Sequence, residues 1–211
     1  MGVVRVTYSL LAYDSSRKKL GIGVVSGSIA VGSRVPWGRG GLAVVATQGY
    51  TNPLLALYII DNLEKGLDAK NALDNALALD PNPEYRQVAV LTIKGDKAVY
   101  TGLNTPSEKE CIVGENYIGI GNLLSSREVI KNLIEGFKET KGSLEEKILN
   151  GLLAASRAGG DARGDTSSAI LIFGEHPEFK GYDKLLDLRI DYSSNPVNDL
   201  INLYNLYRKY Y

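Results

Sequence analysis

Apolar and polar positions along this chain recur with two periods. Residues 3–13 are rich in β-branched, aromatic and aliphatic side chains. The polar run Asp14-Ser15-Ser16-Arg17-Lys18 follows, and residues 19–26 resume the first pattern, which predicts a strand, a hairpin turn and a return strand. Gly21 and Gly23 lie inside the return strand, where glycine signals close approach of another backbone or of a ligand. Residues 26–41 are glycine-rich and hold Pro36 and the lone Trp37, so they read as a loop with some extended structure, before a strand over 41–48. Asn52 then caps a helix opened by Pro53, with Leu54, Leu57, Tyr58 and Ile60 at helical spacing. Gly66 ends it, and a second helix spans 68–79.

Asp80-Pro81-Asn82-Pro83 breaks the pattern. Residues 86–94 and 97–102 form a hairpin about Gly95-Asp96, and 111–120 supply one or two short strands. Ser126 caps a third helix to about 140. Ser143 and Glu146 form a capping box for a fourth, which ends at Gly159. Strands over 168–173 and 186–192 follow, and Pro196 opens a last helix. Hairpins outnumber strand–helix–strand units, so the sheets are expected to be largely antiparallel. Two sheets packed face to face with helices outside bury this pattern as an α+β, four-layer αββα sandwich. Without a linker, repeat or low-complexity stretch, residues 1–211 read as one domain. Its C-terminal helix over 196–211 packs on the domain or on a partner subunit.

Composition narrows the chemistry. A chain of 211 residues can bury a sizeable core, and its formal net charge of zero offers nothing to steer it to nucleic acid or an anionic membrane. No apolar run approaches the roughly 18 residues of a membrane span. The N-terminus lacks the features of a signal peptide, so a cytoplasmic location is expected. A single cysteine, Cys111, excludes an internal disulfide and a thiolate metal cluster. A single histidine, His176, in a loop of Gly-Glu-His-Pro-Glu, leaves little for a His-dependent nucleophile or a multi-histidine zinc site. No metal and no cofactor are expected. An enzymatic base here has to be a carboxylate, a lysine or an α-amino group.

The densest polar cluster is Asp161, Arg163, Asp165, Ser167 and Ser168, set directly before the apolar run 169–173. Charges at the mouth of a buried strand are costly unless paired and hydrogen-bonded. They mark either a well-satisfied turn or a site. The Arg163-Gly164-Asp165 triplet matches a cell-adhesion motif, but it adjoins a buried strand. In the first strand, Thr7 and Ser9 share one face, while Val6, Tyr8 and Leu10 share the other. A hydroxyl there is either a satisfied structural group or a nucleophile.

The hairpin Thr7-Tyr-Ser-Leu-Leu-Ala-Tyr-Asp with Leu20-Gly-Ile-Gly-Val-Val-Ser resembles the opening of the N-terminal-nucleophile hydrolases, the group of proteasome β subunits. The whole chain resembles a branch of that group, the domain of unknown function 1028. The resemblance rests on Ala30-Val-Gly, Val35-Pro-Trp, Val45-Ala-Thr-Gln-Gly-Tyr-Thr-Asn-Pro, Asp80-Pro, Tyr85-Arg-Gln-Val, Gly121-Asn-Leu-Leu and Ala158-Gly-Gly-Asp-Ala-Arg-Gly. It implies the same four-layer sandwich and an amide-bond hydrolase in which a terminal Thr7 attacks a carbonyl with its own α-amino group as base. Asp165-Thr-Ser-Ser168 resembles the superfamily's Asp-x-x-Ser pattern, which implies that Asp165 and Ser168 orient the nucleophile and its amine. Ser26, Arg34, Gln48, Asn52, Arg86, Asn122, Asp161 and Arg163 are the matching candidates for contacting a small-molecule or peptide-like amide substrate, with Asp161, Arg163 and Arg86 open to bracing the site instead. The chain departs from the pattern in two places. Thr7 is internal, so the expected activity requires cleavage of Val6–Thr7. Gly27 and Ser28 stand where a lysine is expected after Ser26, leaving Arg34 to supply positive charge or nothing to do so. A non-catalytic binding or assembly role is the alternative. Tyr204, Tyr207, Tyr210 and Tyr211, on a chain of this resemblance, point to a homo-oligomer.

Overall fold

A computed structural model describes residues 7–210. The strands are β1 (Thr7–Asp14), β2 (Lys19–Ser26), β3 (Pro36–Arg39), β4 (Ala43–Gly49), β5 (Arg86–Thr92), β6 (Lys97–Thr101), β7 (Glu110–Val113), β8 (Tyr117–Asn122), β9 (Ser167–Phe173) and β10 (Lys184–Ile190). The helices are α1 (Pro53–Glu64), α2 (Ala69–Ala78), α3 (Glu128–Glu139), α4 (Leu144–Arg157) and α5 (Pro196–Tyr210). A six-stranded sheet runs in the order β10-β9-β2-β1-β8-β7 and a four-stranded sheet in the order β3-β4-β5-β6. Every described strand pairing is antiparallel. Residues 3–6 of the first predicted strand and the Val6–Thr7 bond lie outside the described residues.

Three apolar cores separate the layers. Alternation along β1 sends Tyr8, Leu10 and Ala12 towards α3, α4 and α5, and Leu11 into the core between the sheets with Val44, Ala46, Ala89 and Leu91. The outer face of the smaller sheet packs Val45, Val88 and Val90 against Leu55, Ile59 and Leu73 of α1 and α2. The architecture is the four-layer αββα sandwich that the element order implies. Gly21 and Gly23 do mark a close approach, and the neighbour is a helix. A Cβ on Gly23 would lie 2.5 Å from Ile148 Cγ2 and 2.9 Å from Leu152 Cδ1, so α4 sits directly on the sheet.

Local capping follows the sequence at most helix starts. Asn52 accepts from the Leu54 N–H, Asp68 from Asn71, and Ser143 with Glu146 completes the capping box. The third helix departs from expectation. Its N-cap is Arg127, which has no side-chain cap, so Ser126 does not cap it. The extended structure expected within the loop over 26–41 is β3, a short strand that the edge of the smaller sheet accepts across β4. Helix α5 lies against its own chain: Val197, Leu200 and Tyr204 enter the core beneath α4 and the larger sheet.

Candidate functional site

The strand registers bring particular residues to one end of the sandwich. Thr7 opens β1 opposite Asn122, the last residue of β8. Ser26 ends β2 opposite Ser167, the first residue of β9. Gln48, near the end of β4, stands opposite Gln87, near the start of β5. All six side chains are buried, Thr7 at 2% exposure. The Thr7 hydroxyl donates to Ser26 Oγ at 3.3 Å, and Ser26 Oγ also accepts the Ser28 N–H at 3.0 Å. Ser9, one pleat further along the same face, donates to Gln48 Oε1 at 2.6 Å.

A chain of carboxamides ties the two sheets together at this mouth. Gln48 Nε2 donates to the Thr7 carbonyl at 3.1 Å and to Gln87 Oε1 at 2.8 Å. Gln87 Oε1 also accepts from Asn122 Nδ2 at 3.0 Å. Gln87 Nε2 donates to the Gly121 carbonyl at 3.0 Å and to Thr101 Oγ1 at 3.2 Å. Most buried polar groups are hydrogen-bonded, and here those bonds fix the backbone of Thr7 from the facing sheet. The expected site residues Thr7, Ser26, Gln48 and Asn122 are therefore brought together. Gln87 is an addition. Its signal was a glutamine directly before the apolar run Val88–Leu91, within the Tyr85-Arg-Gln-Val segment.

The polar cluster forms a second tier at the end of the larger sheet. Asp161 accepts the Gly27 N–H at 2.5 Å and the Arg163 N–H at 2.9 Å, and is paired with the Arg163 guanidinium at 3.2 Å. Arg163 reaches Ser28 Oγ at 3.3 Å. A Cβ on Gly27 would stand 2.6 Å from Asp161 Oδ1, so this loop position admits no side chain without moving the carboxylate. Asp165 lies on the helix side of the sheet. It accepts from Tyr8 Oη at 2.8 Å, Ser156 Oγ at 2.6 Å and the Asp161 N–H at 3.0 Å. Complete burial, reinforced by the Asp165 charge, raises the Tyr8 phenol well above its ordinary pKa, so Tyr8 stays a donor. Asp165 thus meets β1 on its helix side, at Tyr8, and not at Thr7 itself. Ser168 is not brought to Thr7: it faces the helices and donates to the Pro196 carbonyl at 2.8 Å. Its neighbour Ser167 faces the mouth side, donating to the Ser28 carbonyl at 2.5 Å and accepting the Val31 N–H at 3.1 Å.

Three other candidates have structural partners. Arg86 grips Asp80 with two nitrogens at 2.8 and 2.9 Å and donates to the Tyr50 carbonyl at 2.5 Å. Asn52 Nδ2 joins Asp80 at 2.9 Å. Burial alone would raise the Asp80 carboxyl, but the Arg86, Asn52 and Asn82 hydrogen bonds and the Arg86 charge outweigh it and bring the pKa to about 2. Arg34 Nη1 donates to the Ile29 and Ala30 carbonyls, both at 2.9 Å, bracing the turn before β3.

His176 follows β9 at the opposite end of the sandwich, roughly 20 Å along the strand from the Thr7 end. Its Nδ1 accepts the Glu178 and Phe179 N–H groups. A cavity of about 590 Å³ at that far end, lined in part by Lys18, Arg39, His176 and Lys180, is remote from Thr7. Burial and the Glu110 charge push the Cys111 thiol up to about 11. Among the described residues no three His, Cys, Asp or Glu side chains come together to hold a metal, and no helix is long and apolar enough to cross a membrane.

A solved structure shares this architecture. A DUF1028 protein of Silicibacter pomeroyi has a crystal structure that superposes with a TM-score of 0.86 at 29% identity, covering 95% of this chain and 85% of that one. Eukaryotic HslV from Trypanosoma brucei matches at a TM-score of 0.48 and 11% identity, covering 80% of this chain and 99% of its own. Anbu, an ancestral β-subunit from Yersinia bercovieri, matches at 0.47 and 10%, covering 94% and 93%. No curated protein matches the sequence. The sequence model of one family matches residues 7–200, beginning at the threonine on which the mouth is centred, and the chain belongs to that family, the family of unknown function DUF1028.

Proposed function

We propose that this chain is an amide-bond hydrolase of the N-terminal-nucleophile type, with Thr7 as nucleophile once residues 1–6 are removed. The observation that carries the reading is the setting of Thr7. Its hydroxyl is fixed on Ser26 and its carbonyl is held by Gln48, with the only histidine at the other end of the sandwich. Thr7 Oγ1 attacks the substrate carbonyl while the α-amino group takes the hydroxyl proton and passes it to the leaving amine. Water then cleaves the resulting ester. Asp165 is a positioning residue, acting through Tyr8, and Asp161 and Arg163 border the approach. Ser168 acts only through the start of α5. The reading carries with it a cytoplasmic homo-oligomer, supported by the single cysteine and by Leu206 and Tyr210 exposed on α5. Light scattering of the purified chain tests the assembly.

The six residues that precede Thr7 favour a second reading, a non-catalytic binding or assembly protein. The two separate on turnover of a panel of peptide, acyl-amino-acid and small amide substrates by wild type and Thr7→Ala, with adduct mapping by a β-lactone probe. The hydrolase reading expects turnover and a Thr7 adduct, both lost in Thr7→Ala. Turnover that survives Thr7→Ala, or no turnover and no adduct from a chain beginning at Thr7, overturns it.

A further inference from the structure

The direction of every bond in the carboxamide chain is set by backbone carbonyls. Gln87 Nε2 lies 3.0 Å from the Gly121 carbonyl, so that atom is the NH₂ group and Gln87 Oε1 faces the other way. Gln87 Oε1 must then receive donors, which fixes Gln48 Nε2 and Asn122 Nδ2 towards it. Gln48 Nε2 also meets the Thr7 carbonyl, an acceptor only, which gives Gln48 the same orientation independently. Turning any one amide over would set oxygen against oxygen. Asn122 Oδ1 is left as an acceptor, fully buried, with no hydrogen-bond partner among the described residues. A buried polar atom without a partner is rare and costly.

Its position says which donor fits. Asn122 stands directly opposite Thr7 in the β1–β8 ladder. Its carboxamide lies on the inter-sheet face, as does the Thr7 side chain, and directly opposed residues hold their Cβ atoms roughly 5 Å apart. Resting on the reading of Thr7 as a terminal nucleophile, we infer that Asn122 Oδ1 is the acceptor for the α-amino group that cleavage creates at Thr7. Asn122 is then a positioning residue: by engaging one N–H it turns the amine's lone pair towards the Thr7 hydroxyl. An acceptor beside an ammonium also favours the protonated form.

The test is a titration. A chain beginning at Thr7, released from an N-terminal fusion and labelled with ¹⁵N-threonine, gives an amine nitrogen signal separate from every amide. It can be followed with pH whether or not the protein matures itself or hydrolyses anything. Asn122→Leu removes Oδ1 while Gln87 keeps its donor from Gln48. The amine is expected to lose about tenfold in proton affinity relative to wild type, with the amide spectrum otherwise preserved. Asn122→Ser serves if the leucine variant does not fold, with a smaller fall in the same direction. An amine that titrates identically in wild type and a folded variant overturns the inference and leaves the hydrolase reading standing. Its meaning would be that Oδ1 serves a buried water or a substrate N–H.

Discussion

Replacing Arg86 by Met separates a structural brace from a substrate contact. The Asp80 side chain is fully buried and receives two Arg86 nitrogens, Asn52 Nδ2 and the Asn82 N–H. Arg86 also holds the Tyr50 carbonyl, two residues from Gln48. Removing one member of a buried pair leaves the other charge uncompensated, at a cost of about 3–5 kcal/mol. For a chain of this length that corresponds to a melting temperature lower by roughly 10 °C. Acid provides the sharper discriminant. Asp80 has its folded pKa depressed, so its contribution is fully present above the unfolded value of 3.8 and lost as pH falls through about 2. At about 1.4 kcal/mol per tenfold in proton affinity, that contribution is about 2 kcal/mol. In Arg86→Met both Arg86 contributions are gone, Asp80 is held down less strongly, and less of this acid-labile contribution is there to lose. The stability gap between wild type and variant, measured by urea unfolding from pH 7 down to pH 2, is therefore expected to shrink by up to about 2 kcal/mol. Comparing the two proteins at each pH cancels the other carboxylates. A gap that stays constant with pH, or a variant as stable as wild type, would refute the brace.

Three further outcomes follow from the packing. Gly23→Ala drives a methyl into Ile148 and Leu152 of α4 and is expected to destabilise by about 1–3 kcal/mol in thermal unfolding, whereas Gly95→Ala, open around its Cβ, meets only backbone strain at its positive φ. Tyr8→Phe removes a donor from Asp165 and is expected to cost about 1–3 kcal/mol; a neutral result would mean that Ser156 and the Asp161 N–H satisfy the carboxylate alone. Cys111, raised from 9.0 to about 11, is expected to react with iodoacetamide at pH 8 about a hundredfold more slowly than a thiol of ordinary pKa, and a rate equal to that of free cysteine would contradict its burial.

The sandwich was legible because each element announces itself locally. Period-two alternation put Thr7 and Ser9 on one face and Tyr8 on the other, and the structure shows those faces meeting Gln48 and Asp165 respectively. The site was legible in part. Ser26, Gln48 and Asn122 meet Thr7, but Asp-x-x-Ser spacing carries no strand parity. Since β9 starts at Ser167, that residue turns to the mouth side and Ser168 to the helices. Asn52 read as a substrate contact and Arg86 as either a substrate contact or a brace, because their common partner, Asp80, is brought to them only by the turn through Pro81–Tyr85. The Gly21–Gly23 signal was sound as physics, since glycine in a strand reports a close neighbour without saying whether it is a ligand or a helix. Strand β3 was legible only as some extended structure within a glycine-rich loop, because four residues with a proline and two glycines nearby carry no period.

The account's central claim is that Thr7 becomes a chain terminus. Intact-mass spectrometry with N-terminal sequencing of the purified native protein tests it most directly. The account predicts a chain beginning Thr7-Tyr8-Ser9, lighter than the encoded protein by residues 1–6. A homogeneous chain beginning at Met1 or Gly2, in a preparation that turns over an amide substrate, would contradict it.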